Sequence, residues 1–598
     1  MKDGHSEFGE RLSALRRHIE QLGLDGVIVP RFDEHQGEYC APHDERLAFL
    51  TGFTGSAGLA LVLRDGGLIF VDGRYQVQVR RQVDLGSYRI EHYDDSPVDQ
   101  WLERHGAPGL RIGCNPMLVP ARMFDRLREA LARRGGELVA LDVDPVDAIW
   151  PDQPERPLAR IEPFPMSFSG ETSASKRQRI AAAIAAAGAD LLAETQPDNI
   201  AWLLNVRGGD VAFNPFPQSF LLLGADAGVE WFVDERKLPN DRSAYELDGA
   251  VLRPPEALLP RLGERAAGAR VLLDPDLTSA AVGLEVTRGQ GAVLHSASPI
   301  TLAKAVKNPV ELNGFRTAHL EDGVAWVEFL AWIDAHAGPR AAAGNPVTEL
   351  EAEAWMIEAR RRRPGFVYPS FRSISAASAN AAMCHYAASE ETDAPIGEGV
   401  YLLDSGGQYL SATTDATRTR AFGEVGPEVR RAYTAVLRGF VALMTLRFPV
   451  GTMGHQIDAF ARRPLWDLGL DFDHGTGHGV GHFLSVHEQP HRIEKIANNH
   501  RMEAGLVMTV EPGYYEAGGF GMRVENQVEV VADGEGFLRF GSLTLVPIDL
   551  SLADRESLTE AEVAFLDGYH ARVRQALADR VSEEARSYLI RATEPLGR

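Results

Sequence analysis

The spacing of apolar residues along the first 150 positions predicts a domain of alternating helices and strands. Apolar side chains recur at helical spacing from Phe8 to Leu22, and Gly23 follows as a C-terminal cap. Short apolar runs typical of buried strands come next, at 26–30, 59–63 and 68–71. Further helical patterns lie near 99–104 and 120–134. Residues 1–150 are therefore predicted to form an N-terminal α/β domain.

A second block repeats this layout after a proline-rich segment. Residues 150–157 are interpreted either as a linker or as a stiff loop that Trp150 anchors on the domain. A helix is predicted over 174–187, and strands over 191–194, 219–223, 230–233 and 271–273. The segments IEQLGLDGVIVP from Ile19 and IAAAGADLLAET from Ile184 share one spacing of Ile, Gly and Asp. We therefore predict a second, related α/β domain over residues 158–303.

The rest of the chain alternates long helical patterns with short strands. Helices are predicted over 308–335, 348–363, 427–446 and 454–468. Four arginines, Arg360 to Arg363, end the second of these helices and are interpreted as a solvated helix end. We predict a third domain over residues 304–548. A helical C-terminal extension over 549–598 would either pack on that domain or contact another subunit.

Acidic and imidazole side chains recur beside the predicted strands of this third domain. The candidates are Asp404 after the apolar run 400–403, Asp415 in a threonine-rich segment expected to be the return strand of a hairpin, His478 in a glycine-rich loop, Glu511 after the run 506–510, and Glu525 in a strand predicted over 522–531. Taken singly, an Asp at a strand end caps a turn and a His in a glycine-rich loop braces it.

As a group, these residues form a hard ligand set of oxygen and nitrogen. Four carboxylates and one imidazole suit Mn, Co, Zn or Fe in the divalent state. Two carboxylates can bridge a metal pair about 3.5–4 Å apart. Because four buried carboxylates can lie close together only with cations between them, the pattern predicts a metal centre.

Composition narrows the classes of partner. The net charge of −23 over 598 residues argues against nucleic acid and anionic membranes, which require a basic surface. Three scattered cysteines give neither a disulfide framework nor a thiolate zinc site. The N-terminus is polar and no apolar run approaches the length of a membrane span, so a cytoplasmic protein is expected.

The motifs resemble those of one family. The ligand order, with HGTGHGVG from His474, VHE from Val486, EPGYY from Glu511 and RVEN from Arg523, is similar to that of the pita-bread metallopeptidases. The match is with Xaa-Pro aminopeptidase, or aminopeptidase P, of the long three-domain cytosolic type. DEHQGEYCAP, TGFTGSAG and VDGRY extend the resemblance over nearly the whole chain. One position departs, because His482 stands where similar enzymes have a small residue, commonly Ser. It is either a loop residue without effect, which is the interpretation we favour, or a residue that alters the edge of the pocket.

The resemblance implies a fold that combines α/β and α+β classes. Two related N-terminal α/β domains of the creatinase-like N-terminal type would precede a C-terminal pita-bread catalytic domain with a helical C-terminal extension. The implied reaction is hydrolysis of the bond between any N-terminal residue and a penultimate proline, by attack of a hydroxide bridging two divalent metals. Mn²⁺ is the expected metal, with Co²⁺ or Zn²⁺ suiting the same ligands, and a homodimer is expected.

The resemblance also assigns roles to residues. The implied metal ligands are Asp404, Asp415, His478, Glu511 and Glu525. The implied catalytic residues are Glu511 as proton acceptor, His487 at the oxyanion and His385 at the leaving prolyl group. The residues expected to contact the peptide substrate are Arg74 from the N-terminal domain, His385, His478 and His487. His474 is expected to brace the loop.

Three alternatives stay open. Prolidase, which cleaves Xaa-Pro dipeptides, shares the fold, but the large N-terminal half favours the aminopeptidase. Creatinase-like hydrolysis without metal and a non-catalytic binding protein also use this fold. The presence of all five ligand types counts against both.

Overall fold

The computed structural model describes residues 4–597, with side chains from residue 7 onwards. Its contacts divide the chain into two compact units. One is formed by residues up to 303 without 167–170, and the other by 167–170 and residues from 304 onwards. No helix in the described part of the chain is long and apolar enough to cross a bilayer. The domain boundaries at 150, 158, 303 and 548 stay predictions.

The first unit begins with helices around a six-stranded sheet. Its elements are α1 (Gly4–Gln21), β1 (Gly26–Pro30), α2 (Arg46–Thr51), β2 (Leu59–Leu63), β3 (Gly67–Val71), α3 (Gln78–Gln82), β4 (Arg89–His92), α4 (Val98–His105), β5 (Arg111–Cys114), α5 (Ala121–Arg133) and β6 (Glu137–Ala140). The strand order is β4-β3-β2-β1-β5-β6. The apolar runs predicted as strands are buried in its centre.

The same unit continues with a second six-stranded sheet. The elements of this stretch are β7 (Glu162–Pro163), α6 (Met166–Ser169), α7 (Ser173–Ala186), β8 (Leu191–Glu194), α8 (Pro197–Leu204), β9 (Val206–Arg207), β10 (Phe220–Gly224), β11 (Val229–Phe232), β12 (Ala250–Arg253), α9 (Leu258–Ala266), β13 (Arg270–Leu273), α10 (Ala280–Arg288), β14 (Ala292–His295) and α11 (Pro299–Ala305). Of these, residues 167–169 of α6 and 304–305 of α11 belong to the second unit. The order β12-β11-β10-β8-β13-β14 repeats the order and strand directions of the first sheet.

The short sequence repeat has a physical basis in both sheets. Gly23 and Gly188 end a helix in the left-handed conformation, with φ of 68° and 76°. Two residues later, an Asp carboxylate accepts the amide of the arginine that opens the next parallel strand. Asp25 accepts from Arg111 N at 2.9 Å, and Asp190 accepts from Arg270 N at 2.8 Å. The predicted relation between two N-terminal α/β domains is confirmed.

The proline-rich segment after the first sheet is packed rather than a free linker. The Trp150 ring stacks on Phe49 with centroids 4.4 Å apart and planes 13° apart. Arg156 pairs with Glu34 at 2.7 Å. Of the two interpretations of this segment, the structure therefore adopts the loop anchored by Trp150.

The second unit mixes long helices with several small sheets. Its elements are α12 (Pro309–Ala342), β15 (Val347–Thr348), α13 (Glu349–Arg361), β16 (Phe366–Pro369), β17 (Ile374–Ala377), β18 (Pro395–Ile396), β19 (Gly399–Asp404), β20 (Gly407–Tyr409), β21 (Ala412–Thr413), β22 (Thr417–Phe422), α14 (Pro427–Met444), β23 (Arg447–Pro449), α15 (Asp458–Trp466), β24 (Gly477–Gly479), β25 (Glu488–Ile493), β26 (Val507–Val510), β27 (Gly513–Glu516), β28 (Phe520–Arg523), β29 (Asn526–Ala532), β30 (Phe537–Ser542), α16 (Glu560–Leu577) and α17 (Glu583–Ala592). One six-stranded sheet has the order β23-β30-β29-β26-β24-β25, and β17-β19-β22 form a smaller one.

The ends of this unit are fixed by helix caps and by burial. α12 begins with a capping box in which Asn308 Oδ1 accepts the Glu311 amide and the Glu311 carboxylate accepts the Asn308 amide. At the other end, Leu566, Val573 and Leu577 of α16 are buried in the core of the unit. The C-terminal extension therefore packs on its own unit.

Candidate metal centre

The five predicted metal ligands lie in one cluster of the second unit. One oxygen each of Asp415 and Glu525 and a ring nitrogen of His478 lie within 4.8 Å of one another. His478 Nε2 is 3.5 Å from Asp415 Oδ2 and 3.4 Å from Glu511 Oε1. Asp404 belongs to the same cluster, because its charge is the strongest influence, after burial, that raises the pKa of Asp415. The structure thus brings together four carboxylates and one imidazole.

The chain around the two aspartates differs from the predicted simple hairpin. β19 pairs antiparallel with β22, so that Asp404 lies opposite Thr417. The short strands β20 and β21 intervene, and Asp415 precedes the return strand, so its placement on that strand was wrong. A Cβ at Gly406 would lie 2.0 Å from the Thr414 carbonyl oxygen. This close backbone approach, which only glycine permits, brings the segment before β22 beside the end of β19.

The glycine pattern predicted that His478 lies in a loop. The residue lies instead on the short strand β24. A Cβ at Gly477 would lie 2.1 Å from the Thr509 carbonyl oxygen, so this glycine lets the backbone approach β26. His478 Nδ1 donates to the Gly479 carbonyl at 2.8 Å, since a carbonyl can only accept. Nε2 is therefore the nitrogen that faces the carboxylates. A metal-binding histidine is commonly oriented in this way.

Of the two glutamates, one follows a strand and the other lies between two strands. Glu511 directly follows β26, as predicted, whereas Glu525 lies between β28 and β29, so the single strand predicted over 522–531 was wrong. Between these two strands, the Glu525 amide donates to the Thr417 carbonyl at 3.3 Å. Thr509 Oγ1 donates to Glu511 at 3.0 Å, and Thr417 Oγ1 donates to Glu525 at 2.6 Å. A hydroxyl thus fixes each carboxylate.

The electrostatics of this cluster fit divalent cations. Burial raises the pKa of Asp415, Glu511 and Glu525, and neighbouring carboxylates raise each of them further. One oxygen each of Asp404 and Asp415 is buried without a hydrogen-bond partner among the described residues. Such an arrangement is costly unless cations lie between the oxygens. A hard oxygen and nitrogen donor set of this kind suits Mn, Co, Zn or Fe.

A buried arginine behind Asp404 was not predicted as part of the site. Arg523 Nη2 donates to Asp404 Oδ2, and Nη1 donates to the Tyr515 hydroxyl. The Tyr515 hydroxyl also contacts His474 Nε2 at 2.9 Å, while His474 Nδ1 contacts the Gly475 carbonyl at 2.7 Å. The chain from His474 to Asp404 agrees with the interpretation of His474 as a bracing residue. Arg523 could have been found from its position two residues before Glu525.

A second buried ion pair supports the segments that carry the two aspartates. Arg360 Nε donates to Asp322 at 2.7 Å, and its Nη2 donates to the Ser405 carbonyl at 2.9 Å. Asp322 also accepts from Thr414 Oγ1 at 3.0 Å. Ser405 and Thr414 are the neighbours of Asp404 and Asp415 in sequence. Arg360 is fully buried, so its interpretation as part of a solvated helix end was wrong, although Arg361 and Arg362 are exposed.

Two further histidines continue from the ligand cluster. The His487 ring meets the His478 ring edge-on, with centroids 4.4 Å apart, and stacks against His385 at 6.3 Å. Both His385 and His487 are partly exposed, as a substrate contact requires. Glu488, the neighbour of His487, is buried and pairs with Lys304 at 3.0 Å and also with Lys307. This ion cluster fixes the backbone that carries His487.

Two other predicted positions lie outside this cluster of contacts. Arg74 is in the first unit, where its guanidinium binds Asp72 and Glu38, each at 2.8 Å. Its contact with substrate stays a prediction. His482 lies in the loop between β24 and β25 and is buried, with its ring 5.8 Å from that of Phe315. Its side chain therefore contributes to packing against α12.

The raised carboxyl pKa values predict how the stability of the metal-free protein depends on pH. Asp415, Glu511 and Glu525 bind protons more tightly in the folded than in the unfolded chain. The folded state is therefore favoured most below the unfolded pKa of about 4, and loses stability as pH rises above it. We expect the Tm of chelator-treated protein to fall from pH 6 to pH 8. A Tm that rises over this range only in the metal-free protein would contradict the raised pKa values.

Comparison with known proteins identifies the family. The creatinase/prolidase N-terminal domain matches residues 11–147 and, in a second model, 152–311. Metallopeptidase family M24 matches residues 313–532, and the C-terminal region of peptidase M24 matches residues 536–596. A probable Xaa-Pro aminopeptidase P of Laccaria bicolor is 36% identical, over 98% of this chain and 93% of that protein.

Solved structures agree with this result. The X-prolyl aminopeptidase from Caenorhabditis elegans, described as a cytosolic enzyme with a di-nuclear active site, superposes with a TM-score of 0.93 at 32% identity. It covers 98% of this chain and 100% of its own. The Xaa-Pro dipeptidase from Bacillus anthracis, at 22% identity and a TM-score of 0.51, shares the fold over only 63% of this chain. The chain belongs to the Xaa-Pro aminopeptidase P family of M24 metallopeptidases.

Proposed function

We propose that this chain is a metallo-aminopeptidase that hydrolyses the bond between an N-terminal residue and a penultimate proline. One observation carries this conclusion. His478 Nε2 lies 3.5 Å from Asp415 Oδ2 and 3.4 Å from Glu511 Oε1, with the Nδ1 proton donated away from them. Lone pairs converge in this way where a cation lies among them. The family and the full-length relatives support the same activity.

The proposed ligands divide between two divalent metal ions. Asp415 and Glu525 would be shared by both ions, Asp404 would complete the shell of one, and His478 and Glu511 that of the other. Bound there, a metal pair polarises a carbonyl and lowers the pKa of water. Mn²⁺ is the proposed metal, because carboxylate oxygen dominates the ligand set, although Co²⁺ and Zn²⁺ suit the same donors.

The chain's own residues supply the proton transfers and the orientation of substrate. Glu511 is partly accessible, with 17% of its side chain exposed, and burial raises its pKa, so it is the proposed proton acceptor. His487, next to His478, is proposed to stabilise the developing oxyanion. His385 stacks against His487 and would protonate or hold the prolyl nitrogen. Arg74 is the proposed substrate contact from the first unit.

The preference for proline has a chemical basis. The Xaa-Pro amide has no N–H, and its ring fixes φ, so a site that depends on that hydrogen bond would reject it. The substrate class is therefore peptides with proline at the second position. Nucleic acid and membranes are not proposed as partners, given the net charge of −23.

Oligomeric state and cellular location are also proposed. A homodimer is supported by Phe460, Trp466 and Leu468, which lie at α15 and directly after it and are 42–47% exposed despite being large and apolar. A cytoplasmic location is supported by three buried cysteines with free thiols and by the cytosolic relative from Caenorhabditis elegans.

Peptide length separates the aminopeptidase from a prolidase. In a dipeptide such as Arg-Pro the leaving proline itself carries the carboxylate, which a prolidase must accommodate. The tripeptide Arg-Pro-Pro has a peptide group there and a further residue to contact the site, so we expect its kcat/KM to be higher by about tenfold or more, equivalent to about 1.4 kcal/mol. Chelation should abolish both activities. Faster cleavage of the dipeptide would favour prolidase instead.

A further inference from the structure

A buried histidine on α12 lacks hydrogen bonds for its ring. His319 is only 3% exposed, and both ring nitrogens are without a partner among the described residues. Burial lowers the pKa of His319 to about 4, so the ring is neutral and carries one donor and one acceptor. Buried groups of this kind are normally satisfied by protein or by ordered water. Its ring neighbour Phe315 packs edge-on and offers no polar atom.

A small cavity lies beside this ring. Its volume is about 10 Å³, which is close to the minimum for one water molecule. The lining residues are His319, Asp322, Gly323, Thr414–Ala416 and Thr544–Val546. Residues of α12 and of the segment that carries Asp415 therefore both line the cavity.

The polar groups around the cavity leave His319 in need of an additional partner. Asp322, one helical turn after it, already accepts from Arg360, Tyr409 and Thr414. The opposite wall includes the polar residues Thr414, Asp415 and Thr544. A water molecule needs two to four polar partners, and this wall together with the imidazole can provide them.

We propose that the cavity holds one ordered water, bound to a ring nitrogen of His319, that positions the segment carrying Asp415. His319 is then a positioning residue for the metal centre, acting through water and not touching substrate. Only the expected effect on metal binding rests on the proposed role of Asp415 as a ligand. The water itself depends only on the cavity and the imidazole.

A crystal structure of the holoenzyme tests the water directly. We expect a density peak within about 3.2 Å of a His319 ring nitrogen. An empty cavity, at a resolution where other buried waters are seen, would overturn the proposal. This experiment requires no variant and does not depend on whether Asp415 binds metal. An empty cavity would therefore overturn the proposed water without contradicting the proposed function.

Two substitutions test the positioning role. His319→Leu removes the polar ring and should weaken Mn²⁺ binding by about tenfold, as loss of contacts that orient a metal ligand does. His319→Gln keeps a donor and an acceptor and should retain affinity within about threefold. Calorimetric titration of Mn²⁺ alone, well below the measured Tm of each variant, provides the readout. Equal affinity of both variants and the parent would contradict the role.

His570→Leu is the matched control. His570 is also buried, and burial likewise lowers its pKa to about 4, but its Nε2 already accepts the Ile548 amide at 3.1 Å. We expect this variant to lose stability and to keep its Mn²⁺ affinity. An equal loss of affinity in His319→Leu and His570→Leu would assign the effect to general loosening of the unit and would overturn the proposal.

Discussion

Replacing Asp415 by Asn is expected to lower kcat/KM for an Xaa-Pro tripeptide by about a thousandfold or more. The carboxylate lies within 4.8 Å of the donor atoms of His478 and Glu525, and one of its oxygens has no hydrogen-bond partner among the described residues. An amide oxygen is a weaker ligand, and its NH₂ would point at lone pairs. A metal centre supplies several kcal/mol of transition-state stabilisation, and each 1.36 kcal/mol is tenfold in rate.

Asp144→Asn is the control for this substitution. Asp144 is also buried, with a carboxylate that accepts the Val146 amide at 2.8 Å, but it lies in the first unit and outside the ligand cluster. Its replacement should change stability and leave kcat/KM within about threefold of the parent. If Asp415→Asn retained parental activity while folded, its role as a shared ligand would be contradicted.

The second large effect is expected at the Asp322–Arg360 pair. Replacing Arg360 by Met leaves a buried carboxylate without its cation, a change that typically costs about 3–5 kcal/mol. Adding Asp322→Asn to Arg360→Met should recover part of this loss, because the uncompensated charge is then removed. Denaturant unfolding of the parent, both single variants and the double variant measures the coupling.

Arg361→Met provides a control one residue further along the same helix. The Arg361 side chain is 66% exposed and pairs only loosely with Glu358, at 3.7 Å. Its replacement should change the free energy of unfolding by no more than about 0.5 kcal/mol. Equal effects of Arg360→Met and Arg361→Met would show that the buried pair does not stabilise the segments beside Asp404 and Asp415.

Features set by local periodicity could be predicted from the sequence. The run from Gly26 to Pro30 contains no polar side chain, because a central strand is buried on both faces. It forms a strand with those bounds. The left-handed glycines with their following Asp were visible as a repeat because the interaction is local. The five candidate ligands could likewise be predicted from the sequence, since each lies beside an apolar run or near a glycine that permits a close backbone approach.

Features set by tertiary contact could not be predicted in the same way. The four arginines from Arg360 look alike in sequence, and only the fold places Asp322 beside the first. One signal was available, because Arg360 continues the helical spacing of buried Ala352 and Met356. Asp415 precedes its strand because the close backbone approach between Gly406 and Thr414 decides where strand pairing resumes. Arg523 stands two residues before Glu525 in the sequence, but its contact with Asp404 is set by the fold.

The central claim is that two divalent cations lie among these carboxylates and are required for hydrolysis. The direct measurement is the metal content of the purified chain, determined by mass spectrometry after chelation and reloading with Mn²⁺, for the parent and for Asp415→Asn. We expect two ions per parental chain, fewer in the variant, and Arg-Pro-Pro cleavage that returns only with metal. Full cleavage by parental chain from which all metal has been removed would contradict it.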